Sequence, residues 1–112
     1  MKRWLFVDDE RFPPAKGEWT IARSSAEAIA MMSHQGCPEF ISFDHDLGGE
    51  DKAMAIVHFM VEQDLDFDKA WIPRGFAYTV HSENPVGAQN IHGLLGGYLR
   101  ERELRQPSLI GE

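Results

Sequence analysis

The chain has 112 residues, of which 43 % are hydrophobic, and its formal net charge is −7. This length predicts one domain over residues 1–112 with a single modest core, because domains usually hold roughly 100–200 residues. The acidic balance argues against an extended surface for nucleic acid, since surfaces that bind the phosphate backbone are basic. No stretch approaches the about 18 consecutive apolar residues of a membrane span, so we expect no membrane partner.

Cysteine usage and the start of the chain predict the compartment. The single cysteine, Cys37, excludes an internal disulfide framework and agrees with a reducing cytoplasm. A small buried apolar residue is the simplest role for it. No apolar run with a small-residue cleavage site follows Lys2 and Arg3, so we expect no signal peptide and a cytoplasmic location.

Four short runs of apolar and aromatic residues, each bounded by charged or turn-forming residues, predict β-strands. The predicted strands are Trp4–Val7, Trp19–Ala22, residues 39–43 and residues 76–81. Residues 11–17 contain two consecutive prolines, which disfavour a helix, so we expect a loop there. Residues 64–74 are polar and aromatic and contain a proline, which predicts a connection.

Two helices are predicted between these strands. Ser24 and Glu27 form a capping-box pattern, which starts a helix that runs to about residue 34 and stops at Gly36. Apolar residues at spacings of three and four then predict a second helix over about residues 51–63.

A third helix follows the last strand. Asn84 is its predicted N-cap, and Pro85 takes the first helical position. We expect it to run to about residue 104, before a short tail. Three glycines weaken it by about 1 kcal/mol each relative to alanine, and they would allow close packing against the sheet. They are Gly93, Gly96 and Gly97.

The order β, β, α, β, α, β, α predicts a mostly parallel sheet with right-handed connections. In the flavodoxin-like arrangement the order of about four strands is 2-1-3-4. The carboxyl ends of the first, third and fourth strands then lie within a few strand spacings of about 4.8 Å. Ligands of open α/β sheets bind at that edge.

Four aspartates follow the first and third predicted strands, namely Asp8, Asp9, Asp44 and Asp46. Clustered carboxylates repel one another, which raises the pKa of some of them unless a cation neutralises the set. Mg²⁺ or Mn²⁺, held by carboxylates, carbonyls and water, suits such a set. The alternative is a group of aspartates that only form turns. We predict that these four aspartates bind a divalent metal.

Two histidines, His45 and His81, stand at the ends of adjacent predicted strands. Histidine suits proton transfer near neutral pH, and a pair that flanks phosphorus could act as acid and base in opening a cyclic phosphodiester. With Asp44 they form the predicted catalytic set. The alternative is that one of them is a structural hydrogen-bonding residue. The other histidines lie on predicted helices and receive no role.

Polar residues around the start of the last helix are candidates for phosphate binding. Free amides and the helix dipole attract anions, so Ser82 and Asn84 are well placed. Asn90 lies further along the same helix, where a solvated or packing role is as good an account. Arg11 could pair with phosphate through two hydrogen bonds, although a plain surface salt bridge would also explain it.

Asp8 and Asp9 form an acidic pair after the first predicted strand, and Asp44 and Ser82 follow the third and fourth. Together these residues resemble the pocket of response-regulator receiver domains, and the resemblance covers residue 4 to about residue 99. The resemblance implies a flavodoxin/receiver-like three-layer α/β sandwich with a reduced sheet. In receivers the acidic pair helps to hold Mg²⁺, the aspartate after the third strand accepts a phosphoryl group, and a Ser or Thr follows the fourth strand. Two departures stand out: no fifth strand that ends in the receivers' lysine is visible, and a proline-containing loop replaces the first helix.

A fuller set of motifs is similar to the receiver-derived group called cyclic-phosphate processing receiver domains. The motifs are Asp8-Asp9-x-Arg11, Phe43-Asp44-His45-Asp46-Leu47-Gly48 and His81-Ser82-x-Asn84-Pro85-x-Gly87-x-x-Asn90-Ile91. This resemblance implies a small metal-dependent phosphoesterase that processes cyclic or terminal phosphates of nucleotides or RNA ends. Its partner would be a phosphate-containing small molecule or an RNA end. The alternative is a degenerate receiver, which is phosphorylated on Asp44 or only binds partners.

Overall fold

The computed structural model describes residues 3–13 and 18–105, with the side chains of residues 104 and 105 left aside. The strands are β1 (Trp4–Val7), β2 (Trp19–Ala22), β3 (Phe40–Phe43) and β4 (Ala77–Val80). The helices are α1 (Ser25–Gln35), α2 (Met54–Asp66), α3 (Pro85–Ile91) and α4 (Gly97–Arg105), with a π-helical segment, His92–Gly96, between the last two. No helix within the described ranges is long and apolar enough to cross a bilayer.

The four strands form one parallel sheet in the order β2-β1-β3-β4, which confirms the predicted order. Val7 pairs with Ala22 on one side and with Phe43 on the other, and Phe43 pairs with Val80. The strands therefore end level with one another. The residues that follow β1, β3 and β4 emerge at one edge of the sheet.

All described helices pack against one face of this sheet. The connections from β2 to β3 and from β3 to β4 cross the sheet in the same direction, so right-handed crossovers place α1 and α2 on the same side. Residues from that face and from the helices share one hydrophobic core, which includes Val7, Ile41, Phe43, Ala28, Met32, Ile56, Met60, Ile91 and Leu95. The receiver-like α/β class is confirmed, but the described residues form a single helical layer.

The opposite face of the sheet carries aromatic side chains. Trp4 contacts Trp19 and Phe40, with ring centroids 5.3 and 5.9 Å apart, and Phe6 meets the edge of Trp19.

The described part of the loop after β1 forms no helix, as its prolines predict. The rest of that predicted loop, residues 14–17, and the predicted tail after residue 105 lie outside the described residues.

The first helix begins and ends where the sequence predicts. The Ser24 hydroxyl accepts a hydrogen bond from the Glu27 N–H at 3.1 Å, while the Glu27 carboxylate accepts from the Arg23 N–H. The reciprocal bond of the capping box therefore reaches one residue further back than the motif implies. Gly36 ends the helix with a φ of 84°, and its N–H donates to the Met32 carbonyl.

The second helix is shifted by three residues from its predicted position, so the predicted bounds 51–63 are wrong. It starts later because the Asp51 carboxylate accepts hydrogen bonds from the Ser25 N–H and hydroxyl, which keeps Asp51 in a turn. It ends later because Asp64, predicted to lie in a connection, belongs to the last turns of α2.

Asp64 is fully buried and is surrounded by donors from two other parts of the chain, the connection before β4 and α4. Its carboxylate accepts from the backbone N–H groups of Trp71 and Ile72 at 2.9 and 2.8 Å. It also accepts from the Tyr98 hydroxyl at 2.7 Å and from the Arg102 guanidinium at 3.1 Å. Burial and the Asp64 charge raise the pKa of Tyr98. This network joins α2, the connection before β4, and α4.

The helix predicted after β4 is interrupted by the π-helical segment. A Cβ at Gly96 would lie 2.8 Å from the Tyr78 hydroxyl, so glycine allows close contact with β4 there. A Cβ at Gly93 or Gly97 would meet nothing within 4 Å. The expected close packing is confirmed for Gly96 and is wrong for the other two glycines.

We predict that Asp64→Ala lowers the free energy of unfolding by about 3–5 kcal/mol, because it leaves the buried Arg102 guanidinium without its counter-charge. Urea unfolding followed by circular dichroism measures the change. Asp66→Ala is the matched control, since Asp66 is exposed two residues further along the same helix. Equal effects of the two substitutions would contradict the stabilising role of the network.

Candidate functional site

An open pocket of about 560 Å³ lies at the carboxyl edge of the sheet. It is formed by the residues after β1, after β3 and after β4. Its lining consists of Asp9, Glu10, Arg11, Asp44, Asp46, Gly48, Gly49, Lys52, Ser82, Glu83 and Asn84. The volume is that of a small-molecule site, and the lining is strongly polar.

Three carboxylates meet at this edge. Asp8, Asp9 and Asp44 each offer one oxygen, and the three oxygens lie within 4.8 Å of one another. Burial and then the Asp8 charge raise the pKa of Asp44, because both disfavour its ionised form. Hard oxygen donors held this close fit Mg²⁺ or Mn²⁺, which would relieve their mutual repulsion.

Asp8 has no exposed surface, and both of its carboxylate oxygens are hydrogen-bonded. One oxygen accepts from the backbone N–H groups of Glu10 and Arg11 at 3.0 and 2.9 Å, and the other lies 2.9 Å from His81 Nε2. Burial alone would raise the pKa of Asp8, but these bonds together lower it. Arg23 steadies the same turn by donating to the carbonyls of Asp8 and Arg11.

His81 is held on both of its ring nitrogens and on one ring face. Its Nδ1 lies 2.7 Å from the Ser42 hydroxyl, and its ring stacks on Phe6 with a centroid distance of 4.7 Å. Because an ionised Asp8 can only accept, Nε2 is the ring nitrogen that donates in the contact with Asp8. The imidazole contacts Asp8 and does not line the pocket.

His45 lies in the interior beside α3. Its side chain is 7 % exposed, and Nδ1 is 3.3 Å from an oxygen of Asp46. A Cβ at Gly87 would come within 2.3 Å of the ring, so the imidazole packs directly on the backbone of α3. The structure does not bring His45 into the pocket.

Asp46 lines the pocket but lies outside the group of three carboxylates. One of its oxygens is 3.1 Å from Lys52 Nζ, and the other accepts from the Asn84 side-chain amide at 3.1 Å. The bond from Asn84 and the contact with Lys52 lower the pKa of Asp46. Both of its oxygens therefore already have partners within the protein.

The predicted phosphate-binding residues fall into two groups. Arg11, Ser82 and Asn84 line the pocket, while Asn90 is exposed on α3 and does not. Arg11 makes the surface salt bridge that the sequence left open, at 3.0 Å from Glu83. The Ser82 hydroxyl accepts from the Asn84 N–H, and Asn84 caps α3 by accepting from the Gly87 N–H.

The family model described as cyclic-phosphate processing receiver domain matches residues 3–97, which include all four strands and the whole pocket. The chain belongs to this family. The resemblance predicted from the three motifs is thereby confirmed. No curated protein and no solved structure matches the chain significantly.

The roles of two residues in or near the site, Ser42 and Lys52, were not predicted from the sequence. Ser42 interrupts an apolar strand, and strand alternation places it on the same face as Phe6, opposite Ile41 and Phe43. That signal could have paired it with His81. Lys52 was missed because it was predicted to lie in the first turn of α2, whereas it precedes that helix and lines the pocket.

We predict that Gly87→Ala lowers the free energy of unfolding by about 1–3 kcal/mol, because the new methyl group overlaps the His45 ring. Gly93→Ala is the control, since its added methyl group meets open space, and it should stabilise the protein by about 0.4–1 kcal/mol. Thermal unfolding measures both variants. A Gly87→Ala protein as stable as Gly93→Ala would show that His45 does not pack on α3.

We predict that Asp44→Asn raises the free energy of unfolding near pH 7 when EDTA removes divalent cations. The pKa of Asp44 is raised in the folded chain, so the ionised carboxylate opposes folding, and this cost is lost as the pH falls through the folded-state pKa. The advantage of the variant should therefore shrink on acidification. Urea titrations between pH 7 and pH 4 measure it, and a less stable variant at pH 7 would contradict the electrostatic account.

Proposed function

We propose that this domain is a small metal-dependent phosphoesterase that processes cyclic or terminal phosphates of nucleotides or RNA ends. The observation that carries the proposal is the set of three carboxylates beside a pocket that also presents Arg11 and Ser82. Membership of a family described by cyclic-phosphate processing supports the substrate class. The open polar pocket suits a phosphate ester better than an apolar ligand.

Asp8, Asp9 and Asp44 are the residues that would hold Mg²⁺ or Mn²⁺. The cation would supply a Lewis acid that neutralises charge on the phosphate and activates water. Asp8 is prepared for this role because its backbone and His81 bonds keep it ionised and fixed in orientation. Asp46 is a weaker candidate, since one of its oxygens already pairs with Lys52 and the other accepts from Asn84.

The substrate phosphate would be bound by Arg11 and Ser82 at the pocket wall. In the hydrolysis of a 2′,3′-cyclic phosphate, the oxygen of water bonds to phosphorus and one ring P–O bond breaks. The proton lost by water ends on the released ribose oxygen. Arg11 donors would offset the negative charge that builds up on the phosphoryl oxygens during this exchange.

His81 would act mainly as a positioning residue for Asp8. Both ring nitrogens are hydrogen-bonded, one to Asp8 and one to Ser42. Partners in this position commonly tune metal affinity by about 10–100-fold. Proton transfer by His81 would require one of these bonds to open. His45 is buried outside the pocket and would take no part in proton transfer.

A second candidate function is a degenerate receiver that is phosphorylated on Asp44. Its support is that Asp44 follows β3, is half-buried and lines the pocket together with cationic side chains. A cytoplasmic location remains a prediction under either function. The partner would be a phosphodonor in this case rather than an ester substrate.

Turnover of 2′,3′-cyclic nucleotides by the pure protein, with and without Mg²⁺ or Mn²⁺, tests the proposal. We expect metal-dependent hydrolysis that falls about 100-fold or more in Asp9→Asn, because the variant loses a ligand of the proposed metal. Asp9 is exposed, so the substitution should not disturb folding. In His81→Ala the affinity for Mn²⁺ should fall about 10–100-fold, and His58→Ala, on the exposed side of α2, is its control.

Two outcomes would contradict the enzyme proposal. One is the absence of turnover with either metal. The other is turnover that Asp9→Asn and Asp44→Asn leave unchanged. Stable labelling of Asp44 by a small phosphodonor such as acetyl phosphate, without ester hydrolysis, would favour the receiver function instead.

A further inference from the structure

Lys52 reaches the pocket from a short hairpin, residues 45–53, that follows β3. The Leu47 N–H donates to the Asp51 carbonyl and the Ala53 N–H donates to the His45 carbonyl, at 3.0 and 2.8 Å. Asp46 and Lys52 pair across this hairpin as an antiparallel bridge. Its turn contains two glycines with positive φ, Gly48 at 96° and Gly49 at 57°.

Contacts with two neighbouring helices fix the hairpin in place. On one side the Asp51 carboxylate accepts from the N–H and the hydroxyl of Ser25 at the start of α1. On the other side the His45 ring packs on Gly87 and Asp46 accepts from Asn84, at the start of α3. Lys52 therefore follows the anchored Asp51 in the chain and pairs with the anchored Asp46 across the hairpin.

The pocket lining contains more acidic than basic side chains, and Lys52 is one of the few cations available to bind an anion there. Five carboxylate residues line the pocket, whereas Arg11 and Lys52 are the cationic side chains in the described lining. Arg11 is engaged by Glu83 and by the His81 carbonyl. Lys52 pairs with Asp46, and both side chains are nearly half exposed. An exposed ion pair contributes little to stability, so the ammonium can leave Asp46 for a stronger anion.

We propose that Lys52 is a phosphate-binding residue of this site, whose ammonium donates to a non-bridging oxygen of the substrate phosphate. This inference rests on the proposed function and adds to it a cation delivered by the hairpin after β3. A mobile point charge is sufficient for this contact, since lysine binds phosphate by charge rather than by the paired geometry of arginine. The site would therefore select substrates by the negative charge of the phosphate group.

The test compares Lys52→Gln, Lys52→Arg and Lys69→Gln with the unsubstituted protein. The probe is 2′,3′-cyclic AMP at saturating Mg²⁺, and the readouts are kcat/KM and the separate affinity for Mn²⁺. We expect kcat/KM to fall about 10- to 100-fold in Lys52→Gln, as for loss of a hydrogen bond to a charged group. Lys52→Arg should retain most of the activity. Lys69, beside the end of α2 and outside this pocket, provides the control, which should be unchanged.

The metal measurement separates phosphate binding from a structural role. Removal of a positive charge near the carboxylates should leave the affinity of Lys52→Gln for Mn²⁺ unchanged or higher, whereas a collapsed hairpin would lower it, which would overturn the inference. Equal kcat/KM for Lys52→Gln and the unsubstituted protein would overturn the role of Lys52 alone. Failure of the unsubstituted protein to bind or hydrolyse the probe would overturn the proposed function as well.

Discussion

The buried charge of Asp8 is the constraint on which the rest of the site depends. A carboxylate with no exposed surface stays ionised only if donors surround it, and this chain supplies two backbone N–H groups and the His81 ring. Those donors require a tight turn after β1 and a histidine directly after β4. Ser42 is needed in turn to hold the other nitrogen of His81.

The negative charge of Asp8 also repels that of Asp44, and this repulsion helps to raise the pKa of Asp44. A domain with a single described helical layer has little stability to spare for such repulsion, since small domains bury less apolar surface. The buried Asp64 network holds the opposite end of α2 to α4 and offsets part of that limit. Under the proposed function, a cation bound by Asp8, Asp9 and Asp44 would relieve the repulsion among these carboxylates.

The order of the strands and the edge where the polar residues meet could be predicted from the sequence, because buried parallel strands are short apolar runs that end in charge. The ends of α2 could not be predicted in this way. Asp64 is of a residue type common in loops, and its burial depends on Arg102, which lies 38 positions away in the sequence. The sequence indicated which polar residues gather at this edge of the sheet, but not what each of them contacts. His81 directly follows β4, whereas His45 lies two residues after β3. Their different roles depend on the packing of His45 on Gly87 and on the bonds of His81 to Asp8 and Ser42.

The most direct test of the account follows 2′,3′-cyclic AMP by ³¹P NMR in the presence of the protein and Mg²⁺. The account predicts that the cyclic phosphate resonance is replaced by that of a nucleoside monophosphate, and that EDTA stops the conversion. The account would be contradicted if the cyclic phosphate resonance persisted at high protein concentration both with Mg²⁺ and after the protein had been pretreated with Mn²⁺.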